Sequence, residues 1–258
     1  MFNDIFRVVK PIIAMLHVFE GGKTTQLKQV MEDLDKLSPF VDGLIVENYG
    51  WGYQQGSNLA TKETRKRIAE ITEAVVKATS LPVGVNLLPN DYKGALCVAG
   101  SCGAKFIQLD HVTGNFIGCD SVNPEEFLKF RKLFPGIAVL GGIHPKYYTL
   151  ENPLMPISDS AKKAKPLCDA IVVTGKYTGG EASLNDIRRT KDTVLTHPVL
   201  VGSGLNVINV EMQLSFADGA IVGTALKRNG VVPGEPIDEN MVKQLIARVE
   251  KMRKERKN

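Results

Sequence analysis

The residues of this sequence that could do chemistry recur at one kind of position, the end of a short apolar segment. They are two carboxylates, two imidazoles and an amide: Glu47, Asp110, His17, His144 and Asn86. A carboxylate can remove a proton from the carbon beside a carbonyl group, and an imidazole, which titrates near neutral pH, can act as acid or electrophile. We expect these five residues to be catalytic, with Glu47 or Asp110 as the base and His17 or His144 as the acid.

A divalent metal ion is an alternative use for the same side chains. Glu47, Asp110 and His144 would be its ligands, and this donor set suits zinc, manganese or iron without selecting among them. A metal ion there would stabilise an enediolate. The sequence indicates no other cofactor. A Schiff-base mechanism needs a lysine inside the fold, and it ranks third because Lys146 and Lys176 fall just past apolar segments rather than within them.

Glycine turns follow the last two apolar segments. One precedes a helix predicted to begin near Asn206, and the other precedes Lys227-Arg228. Glycine lets the backbone approach an anion closely, and the free N–H groups at the start of a helix point at it. We therefore predict that these turns bind the phosphate group of a small phosphorylated ligand, through Gly202, Ser203, Gly204, Gly223 and Thr224.

Two further glycine-rich stretches bear on ligand binding. Thr174–Gly180 follows the sixth apolar segment, and it could close over a ligand as a mobile lid or simply be a flexible connection. Gly21–Thr25 resembles the end of a P-loop, but the first glycine of that motif is missing at the required spacing. We exclude nucleoside-triphosphate binding on that ground.

Eight short apolar segments alternate with longer amphipathic ones along the chain. All eight are rich in Val, Ile or Leu and form nearly continuous hydrophobic runs, which is typical of parallel strands buried on both faces. The predicted strands are Pro11–His17, Gly43–Asn48, Pro82–Leu87, Lys105–Asp110, Ile137–Ile143, Asp169–Thr174, Pro198–Gly202 and Gly219–Gly223.

The segments between the predicted strands have helical periodicity. In Thr61–Thr79 the apolar residues form one stripe with charges opposite, and Ser80-Leu81-Pro82 ends the helix. Asn123–Glu126 begins another helix with an Asn cap, a proline and acidic residues in the first turn. Ser183–Val194 and Asp238–Glu250 follow the same logic.

Strands that alternate with helices favour a parallel α/β fold, either a closed barrel or an open doubly wound sheet. The chain has 258 residues, close to the roughly 250 that are usual for a barrel. We predict a single (β/α)8 TIM barrel that forms one domain over residues 1–258. Chemistry in such barrels lies at the carboxyl ends of the strands, and phosphate binds after strands seven and eight. The candidate residues would then surround one mouth.

Composition narrows the partners and the location. The formal net charge is +4, part of it in the basic run Lys251–Lys257, which is typical of a solvated helix end. No basic patch interleaved with aromatic residues indicates nucleic-acid binding, and no apolar stretch approaches the roughly 18 residues of a membrane span. The four cysteines form no C-x-x-C pair and favour reduced thiols in a cytoplasmic protein. By analogy with other barrels of this size, we expect a homo-oligomer.

Four stretches at the predicted strands resemble the BtpA/SgcQ family. They are Gly43–Asn48 (GLIVEN), Leu81–Asn86 (LPVGVN), Pro198–Gly204 (PVLVGSG) and Ala217–Arg228 (ADGAIVGTALKR), and the resemblance runs over essentially the whole chain. The resemblance implies a TIM barrel related to the ribulose-phosphate-binding barrels. Members of the family have been linked to photosystem I biogenesis in cyanobacteria and to sugar operons in enteric bacteria.

This sequence departs from the family pattern after three strands. Members commonly have a Leu-Pro-Gly-Ser-Pro-type loop after the histidine of the first strand, where this chain has Val18–Lys23. They commonly have His-x-Lys-His after strand five, where this chain has His144–Tyr147 and lacks the second histidine. An asparagine-rich end of strand four is replaced by Asp110-His111. These differences indicate a divergent subgroup with a different substrate.

Two functions remain open at this point. The first is an enzyme that acts on a sugar phosphate or another small phosphorylated metabolite, as an isomerase, epimerase or aldolase. Its phosphate would anchor after strands seven and eight, so that binding energy positions the reacting carbons. The second is a non-catalytic assembly or ligand-sensing factor of the BtpA type, which would need an exposed apolar patch for a partner. Titratable residues at five strand ends favour the enzyme, since a binding protein needs fewer of them.

Overall fold

Eight parallel strands close into a barrel in the computed structural model, which describes residues 1–54, 57–230 and 235–255. Each strand pairs with the next one along the chain, and the last pairs with the first. The prediction of a closed TIM barrel is therefore confirmed. The strands are β1 (Ile12–Val18), β2 (Gly43–Asn48), β3 (Val83–Asn86), β4 (Phe106–Leu109), β5 (Ala138–Ile143), β6 (Ala170–Val173), β7 (Val199–Val201) and β8 (Gly219–Val222).

Helices alternate with the strands and cover the outside of the barrel. Two short 3-10 helices, Thr224–Leu226 and Arg228–Gly230, follow β8. No helix in the described ranges is both long enough and apolar enough to cross a membrane. The α-helices are α1 (Phe2–Ile5), α2 (Lys23–Leu37), α3 (Lys62–Ala78), α4 (Tyr92–Cys102), α5 (Pro124–Arg131), α6 (Ile157–Ala164), α7 (Leu184–Val194), α8 (Val210–Phe216) and α9 (Glu239–Glu255).

The predicted helix starts hold at four positions and fail at one. At the four positions a side-chain oxygen accepts a hydrogen bond from a backbone N–H in the first turn that follows: Thr61, Asn123, Ser183 and Asp238. The helix expected near Asn206 begins instead at Val210. The side-chain oxygen of Asn206 accepts hydrogen bonds from the backbone N–H groups of Ile208 and Asn209. This local bonding competes with a helix, so a turn forms there instead.

The core has two layers because alternate strand residues point into the barrel and out towards the helices. The inner layer includes Met15, Ile45 and Phe106, and it also contains Phe2 and Phe6 from the amino-terminal segment. The ring centroids of Phe6 and Phe106 are 5.4 Å apart. Helix α1 and the residue that follows it therefore close the amino end of the barrel.

Two glycines make room for this aromatic plug. A Cβ atom at Gly43 would lie 2.7 Å from Cε1 of Phe6, and one at Gly84 would lie 2.2 Å from Cε2 of Phe106. Side chains at either position would collide with the rings. With the amino end filled in this way, the carboxyl end of the barrel is the end left to hold a ligand.

Candidate functional site

A cavity of about 350 Å³ opens at the carboxyl end of the barrel. This is the end at which the sequence predicts chemistry. Asn86 is fully buried behind the cavity wall, and His144 lies outside the lining. The other predicted site residues all line the cavity: His17, Glu47, Asp110, Gly202, Ser203, Gly204, Gly223 and Thr224.

Strand register brings the first of these side chains together. The pairing of β1 with β2 sets His17 beside Glu47, and the pairing of β2 with β3 sets Glu47 beside Asn86. Residues two apart share a face of a strand, so His17 and Glu47 continue the inward series that Met15 and Ile45 begin. Nε2 of His17 lies 3.7 Å from Oε1 of Glu47.

The Asn86 side chain holds Glu47 in place. Its Nδ2 donates hydrogen bonds to Oε2 of Glu47 at 2.7 Å and to Oε1 of Gln108 at 3.0 Å. This hydrogen-bonded row crosses three neighbouring strands. It binds one oxygen of the Glu47 carboxyl group and leaves the other on the side of His17. The structure thus gives Asn86 contact with a candidate catalytic group rather than with the cavity.

Two carboxyl groups of the cavity ionise near neutral pH. Burial raises the pKa of Glu47 to about 7, and the charge of Asp110 adds to the increase against the opposing effects of Lys146 and Asn86. Burial raises the pKa of Asp110 to about 6, opposed by the Lys146 charge and by the neighbouring polar side chains of Asn86 and Tyr148. At neutral pH such groups can both accept and return a proton.

His17 is a neutral imidazole at neutral pH. Burial, followed by the charges of Lys227 and Lys146, lowers the pKa of His17 to about 3. The ring packs edge-on against Tyr49, with centroids 5.0 Å apart, and a Cβ atom at Gly223 would lie 2.6 Å from its Cε1. A neutral ring in this position can donate a hydrogen bond to a substrate oxygen, as an electrophile.

The loops after β7 and β8 present unpaired donors to the cavity. The backbone N–H groups of Ser203, Gly204 and Gly223 donate no hydrogen bond within the described part of the chain. The hydroxyl oxygens of Ser203 and Thr174 are buried and have no partner among those residues. Gly204 has a φ of +68°, and a Cβ atom there would lie 2.4 Å from the carbonyl oxygen of Gly180. Such a concave group of N–H and hydroxyl donors can hold an anion.

The loop after β6 packs beside these donors. The Tyr147 hydroxyl donates to Oγ1 of Thr178 at 3.1 Å and accepts from the Thr178 backbone N–H at 2.9 Å. A Cβ atom at Gly179 would lie 3.3 Å from Cγ2 of Thr224. The loop therefore reaches the rim of the cavity, which it lines with Thr178 and Gly179. Its motion as a lid stays a prediction.

The structure separates His144 from the other candidates. Its φ is +46°, and its Nε2 lies 2.8 Å from Oγ of Ser160 in α6. The predicted ligand set of Glu47, Asp110 and His144 is therefore not assembled. In residues 1–54, 57–230 and 235–255, no three His, Cys, Asp or Glu side chains come together as metal ligands would. These three side chains lie apart in this structure because the positive φ at residue 144 ends the inward alternation of β5.

Three residues that the sequence did not single out complete the site. Tyr49 and Gln108 line the cavity, and the Tyr148 hydroxyl donates to the carbonyl oxygen of Pro89 at 3.1 Å. Gln108 could have been found, because it is a polar residue inside an apolar strand and stands two positions before Asp110. The two tyrosines belong to loops, where no periodicity indicates the direction of a side chain.

Comparison with known proteins places the chain in a family. The BtpA family matches residues 9–251. An uncharacterized protein of Archaeoglobus fulgidus is 35% identical over 251 residues, which cover 88% of this chain and 96% of the relative. The photosystem I biogenesis protein BtpA of Synechocystis is 29% identical, over 93% and 88% of the two chains. The putative sgc region protein SgcQ of Escherichia coli is 30% identical, over 74% and 73%.

Solved structures agree on the fold. N-(5'-phosphoribosyl)anthranilate isomerase from Pyrococcus furiosus has a TM-score of 0.59 at 16% identity, over 94% of this chain and 99% of that chain. A mutant tryptophan synthase α-subunit from the same organism has a TM-score of 0.59 at 15% identity, over 95% and 98%. At these identities the likeness shows the barrel fold alone. The family match and the full-length relatives go further, and they show that this chain belongs to the BtpA family.

Proposed function

We propose that this protein is an enzyme that binds a small phosphorylated metabolite, such as a sugar phosphate, and transfers a proton beside its carbonyl group. Isomerases, epimerases and aldolases share this step. The observation that carries the proposal is that one cavity joins the unpaired donors of Ser203, Gly204 and Gly223 to the carboxyl groups of Glu47 and Asp110. Carboxyl groups with a pKa raised towards neutral pH suit proton transfer, and such groups are common at catalytic sites.

The phosphate group would bind at the loops after β7 and β8. Its donors would be the backbone N–H groups of Ser203, Gly204, Gly223 and Thr224 and the hydroxyl groups of Ser203 and Thr174. Gly202 would lie against the phosphate without donating to it, because its N–H donates to the carbonyl oxygen of Val173 at 2.8 Å. Because α8 begins only at Val210, the donors after β7 belong to the loop itself rather than to a helix end. Gly223 and Thr224 stand at the start of the 3-10 helix that follows β8. Binding energy gained at the phosphate would position the reacting carbons over Glu47.

Glu47 would be the base. Its ionised carboxylate takes a proton from the carbon beside the carbonyl group. The electron pair of that C–H bond forms a carbon–carbon double bond, and the carbonyl oxygen takes up the negative charge. His17, as a neutral hydrogen-bond donor, would contact an oxygen of the ligand. Protonated Glu47 then returns its proton to carbon, while Asp110 can exchange protons with the ligand oxygens.

The comparisons support a phosphorylated ligand only through the names of similar proteins. One solved structure of the same fold is a phosphoribosylanthranilate isomerase, and another is the native KDPGal structure. Because their identity to this chain is low, these structures support only the fold. The proposal of a phosphorylated ligand therefore depends on the residues that line the cavity. Fold by itself does not determine function.

Thermal unfolding against a panel of phosphorylated compounds tests the proposal. Pentose, hexose and nucleoside phosphates would each be compared with the unphosphorylated parent compound, with and without EDTA. A ligand at about 100 times its Kd adds about 2.7 kcal/mol to the free energy of unfolding. For a chain of this length that raises the Tm by roughly 5 °C. We expect a shift with one class of phosphate ester and none with its parent compound.

Proton transfer needs a second measurement on any compound that shifts the Tm. Exchange of its carbon-bound hydrogen with D2O, followed by proton NMR, should occur with the wild-type protein. The E47Q variant should keep the Tm shift and lose the exchange. If no compound shifts the Tm of a protein that unfolds cooperatively, the proposed phosphate site is refuted.

A non-catalytic assembly factor is the second candidate, and one surface feature favours it. Three exposed apolar side chains recur every four residues, one just before α8 and two within it. They are Ile208, Met212 and Phe216, which are 91%, 50% and 37% exposed. Side chains at this spacing share a face of a helix. The name of one relative, the photosystem I biogenesis protein BtpA of Synechocystis, also supports this candidate. A finding that the protein binds none of the phosphorylated compounds would favour this second candidate over the enzyme.

A further inference from the structure

The loop after β5 has strained backbone at two points. His144 has a φ of +46° and Tyr147 a φ of +67°. Residues other than glycine rarely adopt this left-handed region, and the strain persists only where surrounding contacts hold the backbone. Between these two positions lie Pro145 and Lys146, and both line the cavity.

Hydrogen bonds to two other elements fix the ends of this loop. At one end, His144 Nε2 lies 2.8 Å from the Ser160 hydroxyl of α6. At the other end, the Tyr147 hydroxyl both donates to and accepts from Thr178 in the loop after β6. The strain is therefore maintained by contacts on both sides. Its effect is to place Lys146 over the cavity.

Lys146 is the one cationic side chain among the described residues that line the cavity. Its charge lowers the pKa of Glu47, of Asp110 and of His17. The lysine thus acts on all three groups to which the proposed function gives a part. The negative charge lies on Glu47 before the proton moves and on the ligand oxygen afterwards. A cation at this place would balance the charge in both states, and the neutral His17 ring would not.

We propose that Lys146 is a catalytic residue, whose ammonium group donates a hydrogen bond to the ligand oxygen that becomes negative when Glu47 removes the proton. His144 and Tyr147 are positioning residues that hold Lys146 in place. This proposal rests on the proposed function. Lys146 forms no covalent bond: the proton passes from carbon to Glu47, the electron pair goes towards the oxygen, and both return when the proton is given back.

Two small anions of different design test the role of Lys146. Inorganic phosphate probes the loops after β7 and β8 alone. 2-Phosphoglycolate adds a carboxylate that stands in for the negatively charged oxygen. Calorimetric titration of both anions would be made with the wild-type protein, K146M, K146R and K176M. Lys176 is a matched control because it is an exposed lysine on the neighbouring loop.

We expect K146M to weaken 2-phosphoglycolate binding by roughly tenfold or more, as for one lost charge-assisted hydrogen bond. Its affinity for inorganic phosphate should stay within about twofold of the wild-type value, and K146R should restore part of the lost affinity. K176M should match the wild-type protein with both anions. If K146M loses affinity equally for both anions, Lys146 is a phosphate ligand and the proposal is overturned. The proposal is also overturned if K146M binds both anions as tightly as the wild-type protein does.

Carboxyl NMR gives a measurement that needs no ligand. In K146M the pKa of Glu47 should rise above the wild-type value, because an opposing positive charge is removed. Y147F and S160A should move it in the same direction if Tyr147 and His144 position Lys146, and a change in neither would overturn the positioning roles. A wild-type protein that binds neither anion would refute the proposed function itself. If the wild-type protein binds both anions and K146M binds them equally well, only the catalytic role of Lys146 is refuted.

Discussion

Replacing Glu47 by Gln should stabilise the protein, and the gain should grow as the pH rises. The Glu47 residue is only 7% exposed, and its burial raises the pKa to about 7 from the ordinary value of 4.5 for a glutamate side chain. In the unfolded chain the carboxyl group loses its proton at the lower pH. Between these values the folded protein binds more protons than the unfolded chain, so the free energy of unfolding falls as the pH rises.

The size of the effect follows from the two pKa values. The difference between 4.5 and about 7, at 1.36 kcal/mol per pH unit, amounts to about 3 kcal/mol. This penalty is absent below pH 4.5 and complete above pH 7. The E47Q variant does not carry it, and its amide oxygen can still accept the hydrogen bond from Asn86. For a chain of 258 residues, the stabilisation corresponds to a rise in Tm of roughly 6 °C at high pH.

Urea unfolding of the wild-type protein and E47Q, repeated from pH 4 to pH 8.5, would measure the difference. E20Q is the matched control because Glu20 is an exposed carboxylate, and it should follow the wild-type protein throughout. A difference between E47Q and the wild-type protein that does not change with pH would refute the reasoning. So would an E47Q variant that is less stable than the wild-type protein at pH 8.

Three further substitutions test the loops and the core. G204A puts a Cβ atom 2.4 Å from the Gly180 carbonyl oxygen at a φ of +68°. It should lower the free energy of unfolding by roughly 1–3 kcal/mol and weaken the binding of inorganic phosphate. A calorimetric titration with phosphate that matches the wild-type result would count against the anion site. D91A removes a fully buried carboxylate that caps α4 by accepting from the Gly94 N–H at 3.0 Å and that pairs with the partly exposed Arg65 at 2.6 Å. It should cost about 1–3 kcal/mol, which urea unfolding would detect as a lower midpoint. F106A empties the inner layer of the barrel and should cost about 3–5 kcal/mol, and an unchanged urea midpoint would contradict the plug.

The strands and most of the site could be predicted because a barrel converts sequence order into position. Each apolar run became a strand, with ends shifted by at most one residue. Once the runs are strands of a closed barrel, their carboxyl ends must meet at one mouth. Glu47 and Asp110 were found in this way, as were the glycine turns around Gly204 and Gly223. The failures came where local backbone departed from the periodic pattern, as at His144.

The family, the eight strands and the identity of the side chains that face one mouth could be read from the amino-acid sequence alone, because periodicity and residue type are local properties. What those side chains can do depends on the folded barrel. Burial behind closed strands makes His17 neutral and brings the pKa of Glu47 to about 7. A strained loop turns His144 away and places Lys146 over the cavity. These outcomes depend on solvent exclusion and on contacts between residues far apart in the chain, and no local pattern in the sequence encodes either one.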